Sequence, residues 1–192
     1  KPAHTRTPLK ASINGLENEK YIVKFNSNGD ISSIFDKELN KEILKKPIIT
    51  GIFDYTGSKD WPAWELNYKE LNREPQHTAT IKHIEVIEQG VCRVAVKIVK
   101  AYKNSTFTSI VALSRGGKCV EVYTETEWQS TCSLAKEIFS FTAESPVATY
   151  DLGLGAIKRG NMTEKLFDVP AHKWADITDS SEHFGVSVIS EC

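Results

Sequence analysis

Apolar and polar residues alternate along most of this chain with a period of two, the spacing of a half-buried β-strand. Cys92, Val94, Val96 and Ile98 fall on one face, with Arg93 and Lys97 on the other. Ile81, His83, Glu85 and Ile87 alternate with Lys82, Ile84, Val86 and Glu88. Phe107, Ser109, Val111 and Leu113 repeat the pattern. Val120, Val122, Thr124, Thr126 and Trp128 share a face opposite Glu121, Tyr123, Glu125 and Glu127.

Turn residues punctuate these runs. Residues 19–25 and 31–35 read as the two arms of a hairpin closed by Asn26-Ser27-Asn28-Gly29-Asp30, because Asn and Gly tolerate positive φ. A polar turn at 36–42 leads to Ile43-Leu44 and an apolar strand at 48–55. Gln89-Gly90, Lys103-Asn104-Ser105 and Arg115-Gly116-Gly117-Lys118 close later turns. Shorter strands are expected at 136–141, 147–152 and 154–157, punctuated by Gly153, Gly155 and Gly160. The segment 56–71 is irregular and aromatic, and Trp61, Trp64 and Tyr68 around Pro62 do not suit a regular helix. No window of a dozen residues has a helical period. The expectation is an all-β fold, an antiparallel β-sandwich with few or no helices. Residues 1–13 read as a linker or edge segment, and residues 14–192 as one β-sandwich domain truncated at its C-terminal end. The start without Met, and the end at Glu191-Cys192 directly after a strand-like run, suggest an excised piece.

Composition narrows the partners. The chain has 192 residues, 40% hydrophobic and 26% charged, which is a globular balance. Lys+Arg number 24 against 25 Asp+Glu, so no basic excess points to nucleic acid or an anionic membrane. No run approaches the roughly 18 apolar residues of a membrane span. The opening residues lack the apolar core of a signal peptide. Cys92, Cys119, Cys132 and Cys192 are scattered, without a Cys-x-x-Cys pair. They read as free, mostly buried thiols in a reducing compartment, and the expected location is cytoplasmic. The formal glycosylation triplets at Asn104 and Asn161 carry no weight there.

Candidate chemistry concentrates in Val169-Pro170-Ala171-His172-Lys173-Trp174-Ala175-Asp176, with the alternating run 184–190 behind it. Residues of this kind on a loop signal function more often than core residues do; the alternative is an ordinary turn whose Trp174 caps a core. His172, Asp176, Asp179 and His183 would converge on a metal only if the loop folded back. Gly153-Leu154-Gly155 lacks the third glycine of a dinucleotide loop, and no Gly-x-Ser-x-Gly elbow occurs. Glu121, Glu125 and Glu127 read as a solvent-facing strand. Trp61, Trp64, Tyr68 and Trp174 suffice for a sugar-stacking surface, although aromatic residues equally fill sandwich cores.

Several segments, in order, resemble the C-terminal β-region of glycoside hydrolase family 38, the class II α-mannosidases. They are Leu16-Glu17-Asn18-Glu19 with its strand, then Gly29-Asp30-Ile31-Ser32-Ser33-Ile34-Phe35-Asp36-Lys37; Asp60-Trp61-Pro62-Ala63-Trp64-Glu65; Glu127-Trp128 with Leu134 and Lys136; and 169–176 followed by Phe184-Gly185-Val186-Ser187-Val188. Pro62 and Glu65 stand where many members carry Asp, so no acid role is carried over to them. The resemblance covers nearly the whole chain from Asn14 and implies a sandwich of the galactose-mutarotase-like (supersandwich) kind.

It also implies a zinc-dependent retaining α-mannosidase as the parent enzyme. The nucleophile and zinc ligands of such enzymes belong to an N-terminal catalytic domain whose motifs are absent here. No catalytic or metal residue is therefore carried over, and zinc is expected in the missing domain and not in this chain. The expected partners are that catalytic domain of the same polypeptide and an α-mannoside, with no nucleic acid or membrane. A cut face exposing apolar surface would also let the piece form homo-oligomers. Trp61, Trp64, His172, Trp174 and Asp176 are the candidates for substrate contact or the domain interface. Two other functions compete: a stand-alone carbohydrate-binding module, and a mutarotase-type sugar epimerase using a His and a Glu as acid and base.

Overall fold

The computed structural model describes residues 9–160, 162–179 and 184–191. β1 (Lys10–Ser12), β2 (Gly15–Glu17), β3 (Tyr21–Phe25) and β4 (Ile31–Asp36) follow one another as hairpins. β5 (Lys41–Glu42) returns on β4, and β6 (Leu44–Asp54) is long. The irregular aromatic segment ends in a short helix, α1 (Tyr68–Leu71), capped by the Asn67 side chain. β7 (His77–Thr78), β8 (Thr80–Gln89), β9 (Arg93–Tyr102), β10 (Ser105–Ser114) and β11 (Glu121–Glu127) form the next run. β12 (Ser133–Phe141), β13 (Val147–Asp151), β14 (Ala156–Gly160), β15 (Trp174–Asp179) and β16 (Phe184–Ile189) complete the described strands. The all-β, antiparallel sandwich expected from the alternation is the architecture observed. No helix among the described residues is long and apolar enough to cross a membrane.

The chain divides into two compact units, Lys1–Phe53 with Pro75–Ser140, and Asp54–Glu74 with Phe141–Cys192. In the first, an 8-stranded sheet runs β1-β2-β3-β4-β6-β12, with β5 on β4 and β7 on β6. It faces a 4-stranded sheet of order β11-β10-β9-β8. The second unit contains a 4-stranded sheet of order β14-β13-β15-β16.

The core of the first unit lies between its two sheets. Val94, Ala95 and Val96 are 0% exposed, so β9 is covered on both faces where it begins. Phe107, Ile52 and Ala79 form a buried cluster against which Trp128 packs, its ring 6.1 Å from that of Phe107. Asn18, wholly buried, joins the sheets. Its Nδ2 donates to the Ser114 and Gly117 carbonyls at 3.0 and 3.2 Å, while its Oδ1 accepts the Lys20 and Tyr21 amides. A buried amide in an apolar interior is tolerated only when satisfied in this way.

The Asn-Gly turn is the second clamp. Asn28 Nδ2 donates to the Ala79 carbonyl and its Oδ1 accepts the Ile81 amide, at 3.1 and 3.0 Å. Gly29 has φ +71°, and a Cβ there would stand 2.8 Å from Ile98 and 2.9 Å from Ile81. Glycine is thus required both for backbone conformation and for close approach. Beneath the turn, Lys100 Nζ donates to Asp30, and both residues are buried. Asp30 also accepts from Asn26 Nδ2 at 3.0 Å and from Asn28 Nδ2 at 3.2 Å.

Three details depart from the simple alternation. β8 carries register shifts between Ile81 and His83 and between Val86 and Glu88, each an extra residue that reverses the facing of the residues after it. Ile87 is consequently 45% exposed, although the period-two pattern groups it with Ile81. β11 is an edge strand, and both Val122 and Tyr123 are exposed. Finally, Cys92, Cys119 and Cys132 are free but exposed, contrary to the expected burial. Cys92 and Cys119 sit where strands meet turns, beyond the reach of the core, and Cys132 takes φ 49° in the turn before β12. Cys192 lies outside the described residues.

Two outcomes are expected. Asp30→Ala strands a buried ammonium and should lower stability by about 3–5 kcal/mol, measured by urea unfolding. Cys92, Cys119 and Cys132 should each react with a thiol reagent under native conditions; protection of all three until denaturation would contradict their placement.

Candidate functional site

The site grows from the β13–β14 hairpin of the second unit. Asp151 ends β13 in an Asp-x-Gly turn. Its Oδ1 accepts the Gly153 amide at 2.9 Å, a local side-chain-to-backbone closure typical of Asp. Gly153 takes φ +82°, which a residue with a Cβ adopts only with strain. The same carboxylate reaches across to the next segment, where Oδ2 accepts the Lys173 amide at 3.0 Å. The Asp151 carbonyl accepts the His172 amide at 2.8 Å. Asp151 therefore fixes the entry into β15.

His172 projects from that entry with Nδ1 3.6 Å from Asp151 Oδ2 and a side chain 58% exposed. The Gly153 amide, then the Lys173 amide and the charge of His172, hold the Asp151 carboxyl below its ordinary pKa of 3.8, against the opposing effect of burial.

β15 then carries Trp174 and Asp176 on one face. Register places Trp174 opposite Ile189, and Asp176 between Thr149 of β13 and Ser187 of β16. These five residues line an open groove of about 420 Å3. Thr178 Oγ donates to Asp176 Oδ1 at 2.6 Å and Ser187 Oγ donates to Oδ2 at 2.7 Å. The carboxylate is thus held by one donor on each oxygen.

Trp61 and Trp64 belong to a different feature of this unit. The Trp61 carbonyl accepts the amides of Trp64 and Glu65 at 3.1 and 3.0 Å, with Pro62 second in the turn, where its fixed φ suits the geometry. Gly57 packs under it, since a Cβ there would lie 2.2 Å from the Pro62 carbonyl oxygen. The indoles are 63% and 87% exposed. Tyr68, from the same segment, meets Phe167 edge-on at 5.3 Å.

The structure therefore brings Trp174 and Asp176 together, ties His172 to Asp151, and leaves Trp61 and Trp64 outside the groove lining. Of the four metal candidates, Asp176 is engaged by two hydroxyls, His172 pairs with Asp151, Asp179 ends β15 opposite Phe184, and His183 lies outside the described residues. Among the described residues no three His, Cys, Asp or Glu side chains converge as metal ligands. Asp151, Thr149, Ser187 and Ile189 join the site without standing out in the sequence reading. The Asp-Leu-Gly spacing at 151–153 is a turn signal pointing to Asp151, whereas the cross-strand neighbours depend on register.

The antiparallel sheets place the chain in the all-β, β-sandwich class. The family model for the glycosyl hydrolases family 38 C-terminal domain matches residues 16–192, and the chain belongs to that family. It is 25% identical over 191 residues to Alpha-mannosidase G of Dictyostelium discoideum, covering 92% of this chain and 17% of that protein. It is 26% identical over 138 residues to Alpha-mannosidase 2C1 of Mus musculus, covering 69% of this chain and 13% of that protein. The chain thus spans less than a fifth of these relatives. In fold it is similar to a glycosyl hydrolase family 38 protein of Enterococcus faecalis, with TM-score 0.71, 14% identity, and 89% and 24% of the two chains covered. An alpha-mannosidase of E. faecalis V583 gives TM-score 0.66 and 13% identity, with 95% and 26% covered.

The Asp151 turn has a testable pH signature. A carboxylate with a lowered folded pKa contributes stability fully above its unfolded value, near 3.8, and loses it as pH falls through the folded value. The Gly153 amide proton shift should titrate with a midpoint below 3.8. Asp151→Asn should remove that titration.

Proposed function

We propose that this chain is the β-sandwich part of a glycoside hydrolase that cleaves terminal α-mannosides. It supports a catalytic domain elsewhere in the same polypeptide and helps wall the sugar pocket without performing the chemistry. The match to the family 38 C-terminal model over residues 16–192 carries this reading. The names of the relatives supply the substrate class. The same match supports the non-catalytic part, because it is to a C-terminal domain. In this reading zinc and the nucleophile are supplied by the rest of the protein, and the exposed Trp61 and Trp64 indoles face the sugar or the neighbouring domain.

Those indoles also favour a second reading, a carbohydrate-binding module, because neighbouring exposed aromatic side chains offer a surface on which a sugar ring can stack. Hydrolysis of a chromogenic α-mannoside with added zinc separates the two. Activity is expected in the full-length protein and absent from this chain alone. Full activity in the chain alone would refute the supporting role. Activity in neither, with mannoside binding lost in Trp61→Ala or Trp64→Ala, would favour the module.

A further inference from the structure

We infer that the open face of the β13–β15–β16 sheet is a binding site for a neutral pyranoside, with Trp174 as the stacking platform and Asp176 as the acceptor for two neighbouring sugar hydroxyls. The inference rests on the proposed glycosidase function only for the choice of probe sugar.

The sheet has two unequal faces. Tyr150, Ala175, Ile177, Val186 and Val188 alternate onto one face and are partly covered. On the other, Ser187 and Ile189 are exposed, and Thr149, Trp174 and Asp176 are half-buried. A solvent-facing face of an antiparallel sheet is commonly polar. Here the groove sets an indole and an isoleucine beside a carboxylate and two hydroxyls.

That mixture matches the two surfaces of a pyranose. The indole provides an extended apolar face for the C–H side of the ring. An ionised carboxylate offers about four lone-pair sites. Thr178 and Ser187 take one on each oxygen, which fixes the group and leaves a site on each for a ligand donor. Two acceptor oxygens on one carbon suit hydroxyls on adjacent ring carbons, and bonds to a charged acceptor are the strong ones. Among the described residues no basic side chain lines the groove, and its one charge is negative, which disfavours phosphorylated or acidic sugars.

The test uses the full-length protein labelled with 5-fluorotryptophan, with the Trp174 resonance assigned by its loss in Trp174→Phe. Methyl α-mannopyranoside should shift that resonance saturably, with Kd on the order of 1 mM. Asp176→Asn should weaken the response roughly tenfold or more, because it removes a charged acceptor. Ile189→Arg, at a position 74% exposed and tolerant of substitution, should abolish it by occluding the groove. An immobile Trp174 resonance in a protein that hydrolyses α-mannosides would overturn this inference and leave the proposed function standing. A saturable shift in a protein without hydrolase activity would support the groove while counting against that function. A shift caused by a quaternary ammonium ion and by no pyranoside would overturn the sugar assignment.

Discussion

The first unit depends on one buried ion pair. Lys100 continues the inward face of β9 after Val94, Val96 and Ile98, so its ammonium enters the space between the sheets. Desolvating that charge is costly unless it is paired and its partner hydrogen-bonded. Asp30 meets both conditions, because Asn26 and Asn28 hold its carboxylate from the turn that carries it. One interaction thus links a local turn, a sheet-to-sheet contact and the packing of Gly29 against Ile81 and Ile98. Apolar side chains of equal volume in place of the pair would lose the constraint that sets the turn on β8 at one position.

The second unit repeats the device with weaker means. Asp151 binds the amides of Gly153, before β14, and Lys173, before β15, and so fixes where β15 begins. Asp176 is in turn oriented by Thr178 and Ser187. In the first unit the carboxylate ties side chains together beneath a turn, whereas in the second Asp151 organises backbone. Anchored rather than mobile groups lose less conformational freedom when a ligand arrives, which is the physical advantage of such an arrangement.

Much of this was legible along the chain. The hairpin at 26–30 follows from Asn and Gly, the strand faces of β9 and β10 from their alternation, and the irregular aromatic segment from Pro62 among tryptophans. The groove was half legible. Trp174 and Asp176 stand out by type, but Thr149 and Ser187 are ordinary strand residues until register sets them beside Asp176. The exposed cysteines misled because cysteine is usually buried, and position at strand ends outweighed that preference.

The amino-acid sequence by itself determined the class of structure and the family: period-two alternation and turn chemistry are local, and local backbone preferences select strands and hairpins without distant help. Tertiary structure alone decided that Lys100 is buried against Asp30, where β8 bulges, and which strands stand side by side in the second unit. Those outcomes rest on contacts between residues far apart in the chain, such as Asp30 with Lys100 and Thr149 with Asp176, and no local pattern encodes a distance in space.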